Sequence, residues 1–305
     1  MRESTVEFFS EGTRVSGILR VPVQDGPWPG IVQGPGWLGL KDARLYVPYH
    51  ESLTEAGFAV LVFDYRGFGD SGGDRGALSL RMQVDDLRNA VTYLTTRPDV
   101  DPQRIGVFGS GGTGGGNAVL LAAADERVRC CVSQVPVADG EDWLRRMRSA
   151  ADWDAFLERL AEDRTARVLQ GRGALVHPRE EIMVPTAERR ATSVKADVDG
   201  RVPSRVPLAA ADEIIAYRPI EMAGRARNLL VVAVAADAVT PTDHAVAIYE
   251  AAPEPKRLIM QHRTTHYAAY AEYGAVVIPL IVEWFEACLT TGAAPSGSRV
   301  VDVGA

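Results

Sequence analysis

The sequence predicts an α/β fold, a doubly wound and mostly parallel sheet carrying one helical insertion. Three observations lead there: short, wholly apolar strand-like runs, helical periodicities between them, and one long stretch where that alternation stops. A chain of 305 residues is large for one domain, and the expectation is a single core at 1–136 and 218–305 with an inserted cap at 137–217.

Val6–Phe9 and Val15–Val21 alternate in polarity around Glu11-Gly12-Thr13 and read as an antiparallel hairpin. Ile31-Val32 is a short apolar strand, Tyr46–Ala56 a helix closed by Gly57, and Phe58–Phe63 a strand of the doubly buried kind. Val84, Leu87, Val91 and Leu94 form one helix face, and Ile105–Phe108 is a strand entering a glycine cluster that leads into a helix at Ala118–Ala124. Val128–Val135, Leu229–Ala235 and Arg257–Gln261 supply further strands. Val277, Ile281, Trp284 and Phe285 mark a final helix packed on the sheet. Between Val137 and Tyr217, Trp143 and Met147, then Trp153, Phe156, Leu157 and Leu160, recur at helical spacing before an irregular segment reaching Pro207. That stretch is the expected cap, with a helical hairpin remote from any substrate as its alternative.

The bulk properties exclude several classes. A net charge of -7 is the wrong sign for nucleic acid, and no apolar run is long enough to span a membrane. No signal-peptide pattern follows Met1, so a cytoplasmic location is expected. Cys130, Cys131 and Cys288 read as free thiols, the first two buried. His50, His177 and His244 have no spacing that suggests a metal site, and neither a metal nor an organic cofactor is expected.

The segment Arg104–Asn117, which includes Gly109-Ser110-Gly111-Gly112-Thr113-Gly114, carries the chemistry. Gly109, Gly111 and Gly114 satisfy a dinucleotide fingerprint, yet the acidic residue expected about 20 positions later is replaced by Arg129-Cys130-Cys131-Val132. A Walker-type loop needs Lys and Ser/Thr after the last glycine, where Asn117 stands instead. The remaining reading is a strand-to-helix nucleophile elbow.

With that elbow the sequence resembles the α/β-hydrolase superfamily, in particular the branch of dienelactone hydrolases, acetyl xylan esterases and Xaa-Pro dipeptidyl-peptidase-like enzymes. Gly34-Pro35-Gly36-Trp37-Leu38-Gly39 is similar to the family's oxyanion loop, with Pro35 in place of His. Phe63-Asp64-Tyr65-Arg66-Gly67-Phe68-Gly69-Asp70-Ser71 is similar to its Asp-x-Arg-Gly-x-Gly-x-Ser signature. The resemblance implies that Asp237, after one apolar strand, is the acid and that His266, after the next, is the base. It also implies an oxyanion donor at the Trp37 N–H, and position adds the Gly112 N–H.

The nucleophile departs from the pattern. Gly111 or Gly112 occupies the place of the serine, depending on which flank sets the alignment, and neither can attack. Three mechanisms stay open: Ser110 as nucleophile, Thr113 as nucleophile, or no protein nucleophile, with His266 acting on water or substrate. Asp64, Arg66 and Ser71 read as structural, and Lys41-Asp42 either steadies the oxyanion loop or is a solvated pair. The expected function is hydrolysis of an ester, lactone or C–C bond next to a carbonyl in a small molecule, or a lyase or cyclase reaction on the same machinery. A non-catalytic ligand-binding protein of the same fold is the alternative, and the oligomeric state stays open, a homodimer included.

Overall fold

The computed structural model describes residues 1–292 and 297–305. Strands β1 (Arg2–Ser10) and β2 (Thr13–Val21) pair antiparallel from Arg2 opposite Val21 to Ser10 opposite Thr13. Their two-residue turn holds Glu11 at φ 46° and Gly12 at φ 78°, the left-handed pair that matches the twist of a tight hairpin. Then come β3 (Trp28–Gly34), α1 (Val47–Glu55), β4 (Ala59–Phe63), α2 (Leu80–Thr95), β5 (Val100–Ser110), α3 (Gly112–Ala124) and β6 (Val128–Gln134).

The rhythm breaks after β6. α4 (Gly140–Arg146), α5 (Ala150–Gln170), β7 (Leu175–Val176), a π-helical turn (Pro178–Ile182), α6 (Ala187–Ala191), α7 (Ala196–Asp199), β8 (Val206–Pro207), α8 (Ala210–Ile215) and α9 (Ile220–Ala223) follow. Sheet building resumes with β9 (Leu229–Val234), α10 (Thr242–Ala251), β10 (Lys256–Gln261), α11 (Ala269–Glu272), α12 (Gly274–Leu289) and β11 (Ser298–Val303).

Nine strands form one sheet in the order β1-β2-β4-β3-β5-β6-β9-β10-β11. β1/β2 and β2/β4 are antiparallel, and every pairing from β4 to β11 is parallel. This is the doubly wound, mostly parallel sheet the sequence predicts. Every residue of β3, β4 and β9 is buried, as required of strands covered on both faces. The carboxyl ends of β5, β9 and β10 therefore open on the same edge, where loops can gather side chains from distant parts of the chain.

Two expectations needed correction in detail. The buried face of α2 holds Leu87, Val91 and Leu94 but also Gln83 and Asp86, while Val84 is only partly covered. Both polar residues are buried because each has partners: Gln83 Nε2 donates to the Trp37 carbonyl at 2.9 Å, and Asp86 accepts from Ser10 Oγ and from the Arg66 Nε and backbone N–H. The ninth strand, β11, was not foreseen; it adds to β10 with Lys256 opposite Ser298.

Candidate active site

β5 ends at Ser110 and α3 begins at Gly112, so the whole change of direction falls on Gly111 at φ 79°, ψ 164°. A side chain there is strained but not crowded: a Cβ would meet only the Cα of Gly36 at 3.4 Å and its N at 3.9 Å. The glycines around it have a different reason. A Cβ on Gly114 would lie 2.7 Å from the Pro35 carbonyl oxygen, and one on Gly115 would lie 2.9 Å from that of Gln134. The glycine run thus lets α3 press its backbone against the loop after β3 and against the end of β6, a packing role needing no phosphate.

The loops after β9 and β10 bring Asp237 and His266 together. His266 Nδ1 lies 2.7 Å from Asp237 Oδ2, and the other carboxylate oxygen accepts from the Val239 and Thr240 N–H groups, each at 2.8 Å. The Asp237 side chain is 1% exposed, so this carboxylate is held without competing water. Donation of the Nδ1 proton to Asp237 leaves Nε2 as the free, accepting nitrogen. The ring is further boxed by Tyr267, edge-on with centroids 4.8 Å apart, and by Tyr270 at 6.5 Å.

His266 lines a cavity of about 40 Å³ together with Gly36, Trp37, Gly111, Gly112, Thr113 and Thr240. Gly112 opens α3, and the first N–H groups of a helix have no partner inside it. From the inserted stretch the same cavity takes Trp143, Arg179, Met183 and Lys195. Trp143 Nε1 donates to the Val239 carbonyl at 2.8 Å, and its ring meets that of Trp37 edge-on at 6.2 Å. Trp153 instead packs on Phe156 within the insertion.

The two hydroxyls proposed from the sequence separate. Ser110 is fully buried, donates to Gln134 Oε1 at 2.9 Å and does not line the cavity. As the last residue of β5 it stands opposite Gln134 of β6, and its side chain lies on the other face of the sheet from that of its strand neighbour. Thr113 does line the cavity, and its Oγ1 is buried with no hydrogen-bond partner.

Around this centre, Lys41 pairs not with Asp42 but with Asp64 and Asp70, at 2.6 Å each, and its N–H donates to Asp64 Oδ1 at 2.8 Å. Asp42 binds Arg201 of the insertion at 2.7 Å. Ser71 Oγ donates to the Asp64 carbonyl at 2.6 Å and accepts from the Ser16 N–H at 2.9 Å. These contacts fasten the loop after β3 to the turn after β4. His262 is bound to Asp302 at 2.7 Å on the surface. His244 Nδ1 accepts from the Ala138 N–H at 3.2 Å and its Nε2 meets Asp142 at 2.8 Å, joining α10 to α4. Arg179 and Lys195 were not singled out in the sequence, because short irregular turns rather than a periodic helix place them.

A nine-stranded, doubly wound sheet whose β5–α3 junction faces a histidine and an aspartate from later loops defines an α/β-hydrolase fold. Comparison with known proteins agrees. The "alpha/beta hydrolase GrgF" of Penicillium sp. sh18 superposes with a TM-score of 0.78 at 22% identity, covering 95% of this chain and 99% of that one, a likeness of fold. The sequence profile of the X-Pro dipeptidyl-peptidase (S15) family matches residues 11–293, and the chain belongs to that family of α/β-hydrolases. An "uncharacterized 31.7 kDa protein in traX-finO intergenic region" of Escherichia coli is 30% identical over 91% of this chain and 96% of its own length. A protein named thiohydrolase aneE, of Aspergillus aculeatus, is 31% identical over 58% of this chain and 50% of that protein.

Proposed function

We propose that this chain cleaves an acyl bond, an ester, thioester, lactone or C–C bond next to a carbonyl, in a small molecule held beneath the inserted stretch as a cap, and that it does so without a protein nucleophile. The observation that carries the reading is the buried His266–Asp237 pair, 2.7 Å apart, facing a cavity floored by glycine at the strand–helix junction. A histidine whose tautomer is fixed by a buried carboxylate is a general base, and no hydroxyl is hydrogen-bonded to the His266 ring among the described residues.

In this reading His266 Nε2 takes a proton from water, or from an acidic C–H of the substrate, while the carbonyl oxygen lies toward the Trp37 and Gly112 N–H groups. Each such donor is worth about 2.7–4 kcal/mol to a developing oxyanion. Against Ser110 as the attacking group stands the bond of its hydroxyl to Gln134 and its absence from the cavity lining. Thr113 stays in the cavity wall with its hydroxyl buried and unpartnered.

The test is turnover of an ester, thioester, lactone and β-dicarbonyl panel by four proteins. His266→Ala is expected to fall by about 10²–10⁴-fold, the usual worth of a positioned base. Ser110→Ala and Thr113→Val are expected to stay within a few-fold of the parent. Unchanged turnover in His266→Ala rejects the base; collapse of Thr113→Val alone, with normal folding, makes Thr113 the nucleophile.

A further inference from the structure

The cavity that His266 lines also carries two cationic side chains. Arg179 and Lys195, both from the insertion, line it, and Arg179 also lines a neighbouring cavity of about 240 Å³ with Arg189, Leu38 and Pro185. Asp199, Asp197, Glu188 and Asp237 are already engaged, while Glu180, on the larger cavity, reaches only Arg190 at 3.7 Å. Asp199 binds both Arg179 Nη1 and Arg189 Nη2. Asp197 accepts from the Arg44 N–H at 2.9 Å, and Glu188 accepts from the Tyr267 N–H at 2.9 Å. Asp237 is taken by His266. The Lys195 ammonium makes no hydrogen bond or ion pair among the described residues, and Arg189 Nε is buried and unpartnered while its guanidinium lies over the Tyr267 ring at 5.6 Å.

Unpartnered cationic donors are costly in a covered site, and the form they take there is set by what enters. We infer that Lys195 and Arg179 form an anion subsite beside the reacting centre, and that the substrate is an acyl compound bearing a carboxylate. This rests on the acyl-cleavage reading of the same cavity. The carboxylate would sit between the amine and the guanidinium, its acyl carbon toward His266 and the remainder reaching past Arg179 into the larger cavity. Two donors of different shape suit a planar, two-oxygen acceptor.

A second property follows from the same surroundings. Burial, with Arg179 and Arg189 adding like charge against the attraction of Asp199 and Asp197, pushes the Lys195 ammonium down to about 7. Near neutrality the amine is therefore part-neutral in the free protein, and an arriving carboxylate favours the ammonium form. Binding must take up protons. Affinity is greatest below the free-state value and falls as pH rises above it, by up to about tenfold per pH unit, until the bound form also loses its proton.

The experiment uses monoethyl glutarate and diethyl glutarate, alike except for one carboxylate. Binding to the His266→Ala protein, followed by intrinsic tryptophan fluorescence, to which Trp37 and Trp143 on the cavity contribute, is measured from about pH 6 to 9. The half-ester is expected to bind at least tenfold tighter than the diester, with an affinity that declines above pH 7. Adding Lys195→Met should remove both the preference and the pH dependence, whereas adding Lys195→Arg should keep the preference and lose the pH dependence. Equal binding of the two esters, or a preference that survives Lys195→Met, overturns the subsite. Inorganic phosphate displacing the half-ester more strongly than acetate assigns the site to phosphate and overturns the carboxylate. None of these readings requires turnover, so a failure of the acyl-cleavage reading shows separately, as a wild-type protein that binds but does not hydrolyse.

Discussion

Replacing Gly111 by serine places a hydroxyl where the elbow of this fold presents one, and the structure sets both the cost and the gain. A Cβ meets Gly36 Cα at 3.4 Å, an ordinary van der Waals contact, so no cavity wall has to move. The cost is the backbone: φ of 79° at a non-glycine residue carries about 1–3 kcal/mol of strain, which lowers the melting temperature by only a few degrees in a chain of this size. The gain is a nucleophile on the same cavity as an imidazole already oriented by Asp237. In a serine-protease triad the full set exceeds the oxyanion hole and binding alone by about 10⁶-fold in kcat; with an unrefined geometry, about 10²–10³-fold in ester hydrolysis is expected for Gly111→Ser. The sharper assay is covalent. A fluorophosphonate should label Gly111→Ser stoichiometrically at residue 111 and leave the parent unlabelled, read by intact mass and peptide mapping. A folded Gly111→Ser protein that stays unlabelled would refute the placement of the junction opposite His266. Labelling of the parent at Ser110 or Thr113 would refute the absence of a protein nucleophile.

Three further outcomes follow from named contacts. Asp237→Asn cannot accept the His266 Nδ1 proton through a carboxylate and frees the wrong tautomer, so kcat should fall by about 10²–10⁴-fold with little change in melting temperature; a loss below threefold would show that the pair is only structural. His50, buried with Nδ1 facing Arg20 Nη1 at 3.0 Å and Nε2 on Gln33 Oε1, is held neutral, and burial followed by the Arg20 charge pushes it down to about 3. The unfolded chain then binds one more proton than the native one below pH 6.5, so stability is present above that value and lost as pH falls toward 3. Between pH 6.5 and about 4.5 the loss from this residue should reach about 2–3 kcal/mol in urea unfolding, and His50→Gln should show a correspondingly flatter profile. Asp64→Asn leaves the Lys41 ammonium with only the exposed Asp70 and should cost about 3–5 kcal/mol, checked the same way; a cost under 1 kcal/mol would mean that water replaces the lost partner.

What could be read from the sequence was what local rules control. The Glu11-Gly12 turn, the doubly apolar Ala59–Phe63 and the order of elbow, acid loop and base loop follow from backbone chirality, burial on two faces and chain direction. Asp237 and His266 came from the resemblance, each standing past an apolar strand as the family's acid and base do, and the parallel strands β9 and β10 end on one side. The hydroxyls could not be resolved that way. Ser110 and Thr113 lie three residues apart across a glycine turn, and only the observed junction at Gly111 decides that the first points to Gln134 and the second to the cavity. β11 was hidden by the small and polar residues before it, although Val301 and Val303 alternate inward as an edge strand does. Arg179 and Lys195 left only a weak trace, the crowding of cations from 179 to 201, because tertiary contacts and not periodicity aim them.

Hydrogen bonds join the insertion to the backbone on either side of the His266–Asp237 pair. Trp143 donates to the Val239 carbonyl, whose own N–H holds Asp237, and Glu188 takes the N–H of Tyr267, the residue after His266. His244 and Asp142 tie α4 to α10 behind the acid loop, and Arg146 adds a 2.7 Å pair to Asp243. A motion that lifted the insertion to admit substrate would therefore pull on the backbone on either side of the His266–Asp237 bond. If the insertion covers substrate as proposed, closure and alignment of His266 would be coupled, and the reaction would proceed where bulk water is excluded. Trp143→Phe isolates this coupling, since it keeps the ring and deletes the donor. kcat should drop by about tenfold, the worth of one hydrogen bond of about 1.4 kcal/mol, while the anion preference stays, because Lys195 and Arg179 are untouched. A change in KM alone would instead make Trp143 a wall of the cavity with no hold on the base.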